Sequence, residues 1–478
     1  MGNLRKNAPL LDAYLSYFEQ ARTPFTIPGH KQKASALDSD LGAIVDSDTP
    51  LYGGLDEIKL TNQTLKQAES LAAQLWGADY ARFSTGGSTH ANQAVIFALG
   101  QPGDKVAVSR TAHRSVLSAL VLAGLEPIWM NPEIDGATGV PIGIGIAELE
   151  RALAEEPIAV LLTEPGYLGT ISDLQVLIKA AHNKKVPVIF DAAWGGHFGF
   201  HPKLPKHAFQ LGADALITST HKALPGYSAS ALLLARTNLL SVERLEQSFE
   251  TTHTTSPAGA PLASIDGVRA LLQERGEELI GQLLDNIRRF KEMVQAEFPL
   301  PIFLYPSDFP TGRFDPSKLV LRVQQLGASG VEIEEDLQEK GIRVEMADRD
   351  TIVFLATIAD SEADFDRLAD ALIPILKKRQ EQRRESATAL SWSVVPQKAT
   401  SMRDAYFAKT EMVSAQQAIG RISADLIAPY PPGVAVVAPG EVLTEQIVTG
   451  LQASRAAGVR IAYATDPTLA QFRTVIRS

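Results

Sequence analysis

The fold is best predicted from eight residues, Ala215-Leu216-Ile217-Thr218-Ser219-Thr220-His221-Lys222. The apolar start of this stretch is typical of a buried strand, and the lysine ends the strand instead of continuing it. Upstream, the apolar run 186–190 ends in the same way at a single charged residue, Asp191. The sequence therefore predicts two successive strands, each with one ionisable side chain at its carboxyl end.

Asp191 and Lys222 are predicted to face one ligand, because ligands of open α/β sheets bind outside the carboxyl ends of the strands. A lysine can form a Schiff base and an acid can pair with a pyridinium nitrogen, and pyridoxal 5′-phosphate (PLP) needs both groups. Taken alone, Lys222 is more readily explained as a solvated strand-end lysine, and Asp191 as the N-cap of a helix. The pair together favours a PLP site.

A glycine-rich turn adds the phosphate-binding part of such a site. The stretch Ser84-Thr85-Gly86-Gly87-Ser88-Thr89-His90 lies between the strand-like run 80–83 and the helical run 92–99. Glycines followed by hydroxyl residues at a helix start offer free N–H groups and the positive end of the helix dipole to a phosphate. The same turn is also ordinary loop-to-helix punctuation. In the chain order turn, acid, lysine, it completes the predicted PLP site.

Further motifs extend over nearly the whole chain. They are Pro28-Gly29-His30-Lys31, Asn92-Gln93-Ala94, Pro102-Gly103-Asp104-Lys105-Val106, His113-Arg114-Ser115, the segment 191–202, Thr255-Ser256-Pro257, Ala263-Ser264-Ile265-Asp266, Pro429-Tyr430-Pro431-Pro432-Gly433 and Pro439-Gly440-Glu441. Through them the chain resembles the fold-type I PLP-dependent decarboxylases of ornithine, lysine and arginine (group III), in their short bacterial or cyanobacterial form. The combination of the Ser-x-His-Lys box with the Pro-Tyr-Pro-Pro-Gly and Pro-Gly-Glu motifs near the end of the chain is specific to this family.

The resemblance implies a role for individual residues. Lys222 would hold PLP, Asp191 would keep the pyridine nitrogen protonated, and Lys222 or His221 would protonate Cα. His113 would stack on one face of the cofactor ring, although a loop histidine explains it equally well, and Ala193 would close the other face. The expected phosphate ligands and their neighbours are Gly87, Ser88, Thr89, Ser219 and His221.

The resemblance also implies decarboxylation of a basic aliphatic amino acid in polyamine biosynthesis, with release of CO2. Lysine, which gives cadaverine, is the favoured substrate, before arginine or ornithine. Glu441 and Trp194 are the candidate substrate-binding residues, and Glu441 is alternatively a helix N-terminal acid. The usual Ser-Pro-Ser-Tyr is Ser256-Pro257-Ala258-Gly259 here, which removes an aromatic hydroxyl near the expected subunit interface.

Two other functions stay open at this point. One is another fold-type I PLP enzyme, an aminotransferase or a Cα–Cβ lyase, although no arginine for the substrate carboxylate is identified. The other is a non-catalytic PLP-binding relative, which a missing lysine or acid would favour; both residues are present. Because fold-type I sites lie between subunits, with Thr254 and Thr255 reaching the partner's phosphate, a homodimer or a higher homo-oligomer is expected.

Chain length and patterning predict an α/β protein of several domains. The 478 residues are too many for one core. Alternating strand and helix signals over 66–300 predict a major domain with a mostly parallel sheet and helices on both faces, and the resemblance implies that this domain binds PLP and folds like aspartate aminotransferase. Before it we expect an N-terminal arm, 1–65, and after it a small α+β domain, 301–385, and a C-terminal domain, 386–478.

Composition excludes several classes of protein. The formal net charge of −10 argues against general nucleic-acid binding. With no cysteine among the 478 residues, neither a disulfide framework nor a thiolate zinc site is expected. No apolar run reaches about 18 residues, so no membrane span is predicted. The start of the chain lacks signal-peptide character, so a cytoplasmic location is expected.

Overall fold

The computed structural model describes residues 4–19, 35, 39–40, 47–49, 64–136, 140–324, 326–380, 396–430, 435–456 and 458–476. These residues fall into two compact units. The first unit is drawn from 1–99, 187–202 and 206–281, and the second from 100–186, 203–205 and 282–478. This division differs from the four domains expected above, whose boundaries stay predictions.

The described residues form helices and strands that alternate over most of the chain. The α-helices are α1 (Pro9–Glu19), α2 (Thr64–Trp76), α3 (Gly87–Leu99), α4 (Arg114–Ala123), α5 (Ile146–Leu153), α6 (Leu174–Asn183), α7 (Val242–Thr252), α8 (Gly259–Gln295), α9 (Gly330–Glu339), α10 (Glu362–Gln380), α11 (Met402–Phe407), α12 (Ala415–Ala418) and α13 (Glu445–Ala456). The strands are β1 (Tyr80–Ser84), β2 (Lys105–Ser109), β3 (Glu126–Met130), β4 (Pro132–Ile134), β5 (Pro141–Ile144), β6 (Val160–Thr163), β7 (Val188–Asp191), β8 (Ala215–Ser219), β9 (Ala231–Ala235), β10 (Leu319–Arg322), β11 (Met346–Ala347), β12 (Thr351–Phe354), β13 (Thr410–Ser414), β14 (Ala428–Tyr430), β15 (Arg460–Ala462) and β16 (Gln471–Val475).

In the first unit the strands lie in the order β1-β9-β8-β7. Strands β7 and β8 are parallel, with Ile189 opposite Ala215, whereas β9 is antiparallel to both β8 and β1. Every residue of β8 and β9 is buried. Such strands are covered on both faces, which is why they appear in the sequence as continuous apolar runs and not as alternating ones. Because β7 and β8 are parallel neighbours, their carboxyl ends, with Asp191 and Ser219, lie at the same edge.

In the second unit β3, β2 and β6 form a parallel arrangement, with Lys105 opposite Glu126. A separate antiparallel sheet, β10-β12-β11, shares one hydrophobic core with α9, α10 and the end of α8. The C-terminal part has its own core around α13, with Leu443, Leu451 and Phe472, beside the two-stranded sheets β13-β16 and β14-β15. The small α+β and C-terminal regions expected from the sequence therefore each contain a core.

Most elements expected from the sequence are found. The amphipathic run near the start forms α1, and the apolar runs form β1, β2, β6, β7, β8, β9, β10 and β12. The short run 342–344 forms no strand, and β11 begins two residues later at Met346. The motifs at 28–31, 52–54 and 431–433 lie outside the described residues. None of the described helices is long and apolar enough to cross a membrane.

Candidate active site

The glycine-rich turn between β1 and α3 is a tight loop that opens directly into a helix. Gly87 has a φ of +67°, and its N–H donates to the carbonyl of Ala229 at 2.6 Å. A Cβ on Gly86 would lie 2.7 Å from the Cβ of His90, so this position also needs glycine. Since α3 begins at Gly87, the N–H groups of its first turn have no acceptor within the helix. This arrangement suits a phosphate group.

Two of the expected phosphate ligands contact each other. The Oγ atoms of Ser88, in the first turn of α3, and Ser219, the last residue of β8, are 2.8 Å apart. Both residues are buried, whereas Thr89 in the same helical turn is exposed. The structure thus brings together hydroxyl groups from segments that are far apart in the sequence.

Asp191 ends β7 as a buried carboxylate held by two neutral donors. Its Oδ2 accepts a hydrogen bond from Nδ2 of Asn92 at 3.0 Å, and its Oδ1 accepts one from the N–H of Ala193 at 3.3 Å. Only 2% of Asp191 and 1% of Asn92 are exposed. Turns follow Asp191, so it is not the N-cap of a described helix. A buried carboxylate of fixed orientation suits a cationic ring nitrogen, since an ion pair keeps such a nitrogen protonated.

Lys222 lies beside the segment that follows Asp191. Its Nζ is 4.7 Å from the centroid of the Trp194 ring, within the range of a cation–π contact. Lys222 and Trp194 are both partly buried. The structure therefore brings together two residues that the sequence analysis assigned to different roles, the cofactor lysine and a substrate-binding residue.

The loop that carries Lys222 is closed by hydrogen bonds between its two ends. The N–H of Thr220 donates to the carbonyl of Ser230 at 3.0 Å, and Gly226 donates to the carbonyl of Thr220 at 2.6 Å. Nδ1 of His221 lies 2.8 Å from the carbonyl oxygen of Ser230. A carbonyl only accepts, so Nδ1 carries a proton and Nε2 is the nitrogen that can exchange one.

His253, which the sequence analysis missed, binds the glycine-rich turn. Its Nε2 accepts from the N–H of Thr85 at 3.5 Å and lies 3.2 Å from the Thr85 hydroxyl. Burial, with smaller effects of His90 and Arg82, lowers the pKa of His253 to about 4, so the ring is neutral and able to accept. The next two residues are Thr254 and Thr255, and both are exposed.

The other predicted site residues, His113 and Glu441, belong to the second unit. His113 is the exposed N-cap of α4, where its Nδ1 accepts from the N–H of Ser115 at 3.2 Å. Glu441 is buried and forms an ion pair with Arg110, with 2.6 Å between Oε1 and Nη1. It precedes the first residue of α13 by four positions, so it is not an acid of that helix's first turn.

Three residues of these contacts, Asn92, His253 and Arg110, were not predicted to take part. Asn92 was noted only as part of a motif, and no periodicity or spacing links it to Asp191. Arg110 follows the apolar run 106–108 after a single serine, and a charged residue after an apolar run is the pattern that pointed to Asp191 and Lys222. That signal was available for Arg110, but not for the other two.

Comparisons with known proteins agree with this geometry. Residues 8–303 match the family described as Orn/Lys/Arg decarboxylase, major domain, and residues 380–460 match the C-terminal domain of that family. The chain is 33% identical over 481 positions to arginine decarboxylase of Bacillus subtilis, covering 98% of this chain and 97% of the relative. It is 32% identical over 482 positions to arginine decarboxylase of Halalkalibacterium halodurans, covering 98% of both.

A solved structure, lysine decarboxylase A from Pseudomonas aeruginosa, has the same fold. The TM-score is 0.82 at 19% sequence identity, over 99% of this chain and 81% of that chain. The fold-type I architecture expected from the sequence is thereby confirmed. With a lysine after β8, a buried acid at the end of β7 and a glycine turn at the start of α3, the chain belongs to the Orn/Lys/Arg decarboxylase family and is a PLP-dependent amino-acid decarboxylase.

Proposed function

We propose that this enzyme converts arginine to agmatine and CO2. The choice of substrate is supported by one observation. Both relatives described above, each matched over 98% of this chain, are arginine decarboxylases. The preference for lysine expected from the sequence has no such support. Such an enzyme would act in the cytoplasm, at a step of polyamine synthesis.

Five residues of the first unit would hold the cofactor. Lys222 would form the covalent bond to PLP, Asp191 would pair with the ring nitrogen, and Ser88 and Ser219 would bind the phosphate with the first turn of α3. Ala193, whose N–H donates to Asp191, would lie against the ring. When bound, PLP supplies an electron sink for the bond that breaks at Cα.

Proton transfer falls to the loop after β8. Lys222 and His221 are adjacent, and the proton on Nδ1 of His221 leaves Nε2 to donate or accept. Trp194 would shield the Lys222 amine from water, because its ring lies 4.7 Å from Nζ. Contact with an aromatic face restricts the orientations of the amine, which favours its attack on one face of a carbonyl group.

The site would be completed by a second subunit. We propose a homodimer in which Thr254 and Thr255 reach the phosphate bound by the partner. Both threonines are exposed in the single chain. They directly follow His253, which is hydrogen-bonded to Thr85 in the glycine-rich turn of the same chain.

The test is aerobic incubation of the purified, PLP-loaded enzyme with arginine, lysine and ornithine separately. Carbon dioxide and the product amine are followed beside a Lys222→Ala control. We expect agmatine from arginine at the highest kcat/KM, and none in the control. Cadaverine or putrescine as the main product would overturn the choice of arginine, and no amine from any substrate would overturn the proposed function.

A further inference from the structure

Arg110 and Glu441 form a buried bidentate ion pair within the second unit. Nη1 and Nη2 of Arg110 donate to Oε1 and Oε2 of Glu441 at 2.6 and 2.8 Å. The remaining donors reach backbone carbonyls: Nε donates to Ala435 at 2.8 Å, and Nη2 also donates to Val436 at 3.1 Å. The two side chains are only 5% and 4% exposed. Arg110 therefore binds the segment 435–441 through both its charge and its shape.

Both oxygens of Glu441 are used inside the protein. Oε2 accepts a second hydrogen bond, from the N–H of Ala438 at 2.7 Å. The preceding residue, Gly440, has a φ of +90°, and a Cβ there would lie 2.7 Å from the carbonyl oxygen of Thr400. The backbone of the Pro-Gly-Glu motif is thus fixed in the conformation that aims Glu441 at Arg110. In this arrangement both carboxylate oxygens are hydrogen-bonded within the protein, in a side chain that is 4% exposed, which leaves them poorly placed to bind the cationic end of a substrate.

On its other side, Arg110 is the first residue of the turn that leads to His113. The N–H of Arg110 donates to the carbonyl of Met130 at 2.7 Å, and its guanidinium lies 4.7 Å from the Trp129 ring centroid. Within the turn, the N–H of Ala112 donates to the carbonyl of Ser109 at 2.9 Å. His113 then caps α4. A displacement of Arg110 would therefore be passed to His113 through the two residues between them, Thr111 and Ala112.

We propose that the Arg110–Glu441 pair is a positioning clamp that holds the turn 110–113, and with it His113, against the segment 435–441. Glu441 acts through Arg110 and does not bind the substrate side chain. The inference rests on the proposed function and on the cofactor-stacking role that the family resemblance implies for His113. Removing one partner leaves the other as an uncompensated buried charge, so single substitutions should release the turn.

The substitutions are Glu441→Gln, Arg110→Met and the double variant Arg110→Met/Glu441→Leu. The matched control is Asp425→Asn, since Asp425 is a 5% exposed acid of the same C-terminal region, 2.8 Å from Nε of Arg473. Hydrogen–deuterium exchange is measured on peptides covering residues 110–116 in the cofactor-free protein. Values of kcat and KM are measured for arginine and lysine with the loaded enzyme.

We expect Glu441→Gln and Arg110→Met to speed exchange at the amides of Ala112 and Ser115, and Asp425→Asn to leave both amides unchanged. For arginine and lysine alike, kcat should fall by the same factor, about tenfold to a hundredfold, because His113 is misplaced for every substrate. The double variant should lose no more than either single variant, since the two residues act as one unit.

Three results would overturn the clamp. One is unchanged exchange in the turn; another is a rise in KM for one substrate alone, which would make Glu441 its acid; the third is additive losses in the double variant. Should Glu441→Gln fail to fold, exchange in the turn is measured in the double variant, which leaves no buried charge without its partner. Unchanged exchange in that variant would equally overturn the clamp. Loss of the proposed function is distinguishable, because the wild-type enzyme would then release no amine, while the exchange experiment still tests the clamp.

Discussion

Asp191 is held in place by groups that do not match its charge. It accepts hydrogen bonds from the amide of Asn92 and from the N–H of Ala193, both neutral, so a cationic ring nitrogen would be its strongest partner. Asp191→Asn keeps the shape and removes the charge. We expect kcat to fall more than about tenfold, or 1.4 kcal/mol of barrier, while the PLP content of the purified protein changes little. Cofactor absorbance and steady-state kinetics measure the two quantities.

The control for this substitution is Asp214→Asn. Asp214 is also buried, and it accepts from the N–H of Val188 at 2.8 Å, at the start of β7 and not at its carboxyl end. Its substitution should lower stability and leave kcat within a few-fold. If kcat of Asp191→Asn stayed within tenfold of the wild type, the ring-nitrogen role would be contradicted.

His253 gives the site a dependence on acid pH. Its pKa is lowered to about 4, so between pH 4 and about 6.5 the unfolded chain binds a proton that the folded chain does not. The free energy of unfolding therefore falls as the pH drops through this range, by at most about 1.4 kcal/mol per pH unit for one proton. Protonation also removes the acceptor for the N–H of Thr85. His253→Gln should flatten this slope in urea unfolding at several pH values. An unchanged slope in His253→Gln would contradict the role of burial.

For individual residues, the sequence predicts which charged side chains belong to the site but not which residues they pair with. Asp191 and Lys222 stand out because one charged residue ends each apolar run. Glu441 stands out only through the Pro-Gly-Glu motif, and the sequence does not reveal that Arg110 forms a bidentate ion pair with its carboxylate. The partner lies 331 residues away in the sequence, and no local pattern records a pairing over that distance.

Among the elements, the glycine-rich turn is the one whose backbone is most constrained. Gly87→Ala would place a side chain at a φ of +67°, which costs about 1–2 kcal/mol in the left-handed region. Because Gly87 starts α3, the strain should fall on the phosphate site, and we expect the dissociation constant for PLP to rise about tenfold. Cofactor titration of the cofactor-free protein measures it.

Gly77→Ala is the matched control, since Gly77 has a φ of +69° and no atom within 4 Å of an added Cβ. It carries the same backbone strain, but it follows α2. Its thermal stability should fall while its affinity for PLP stays unchanged. Equal losses of PLP affinity in both variants would show that general destabilisation, and not the phosphate turn, sets the effect.

The elements themselves were predicted unevenly. Buried strands such as β8 and β9, of five residues each, were predicted correctly because an apolar run of that length is typical of a buried strand and too short for a buried helix. Helix α3 begins at Gly87, five residues before the helical run seen in the sequence, because glycine, serine and threonine have low helix propensity. Their presence in a first turn is explained by tertiary contacts, namely those of Gly87 with Ala229 and of Ser88 with Ser219.

For the whole molecule, the fold class followed from the alternation of strands and helices and from motifs spread along the chain. Which unit a segment joins did not follow, because each unit is assembled from separate stretches of chain. The choice between lysine and arginine also lay beyond the sequence pattern. Both substrates require the same chemistry at Cα, and the groups that meet the side chain are not marked by the cofactor motifs.

The proposed sharing of sites between subunits can be tested by mixing two inactive variants. Lys222→Ala removes the cofactor lysine, and Thr254→Ala/Thr255→Ala removes the groups offered to the partner. A heterodimer of the two has one intact site, built from Lys222 of one chain and the threonines of the other.

Random pairing after co-expression should give about a quarter of wild-type activity, although each variant alone is inactive. Co-expression of Lys222→Ala with Asp191→Ala is the control, because both residues serve the same chain's site and no intact site can form. No recovery in verified heterodimers, or full activity of the threonine variant alone, would contradict the shared site.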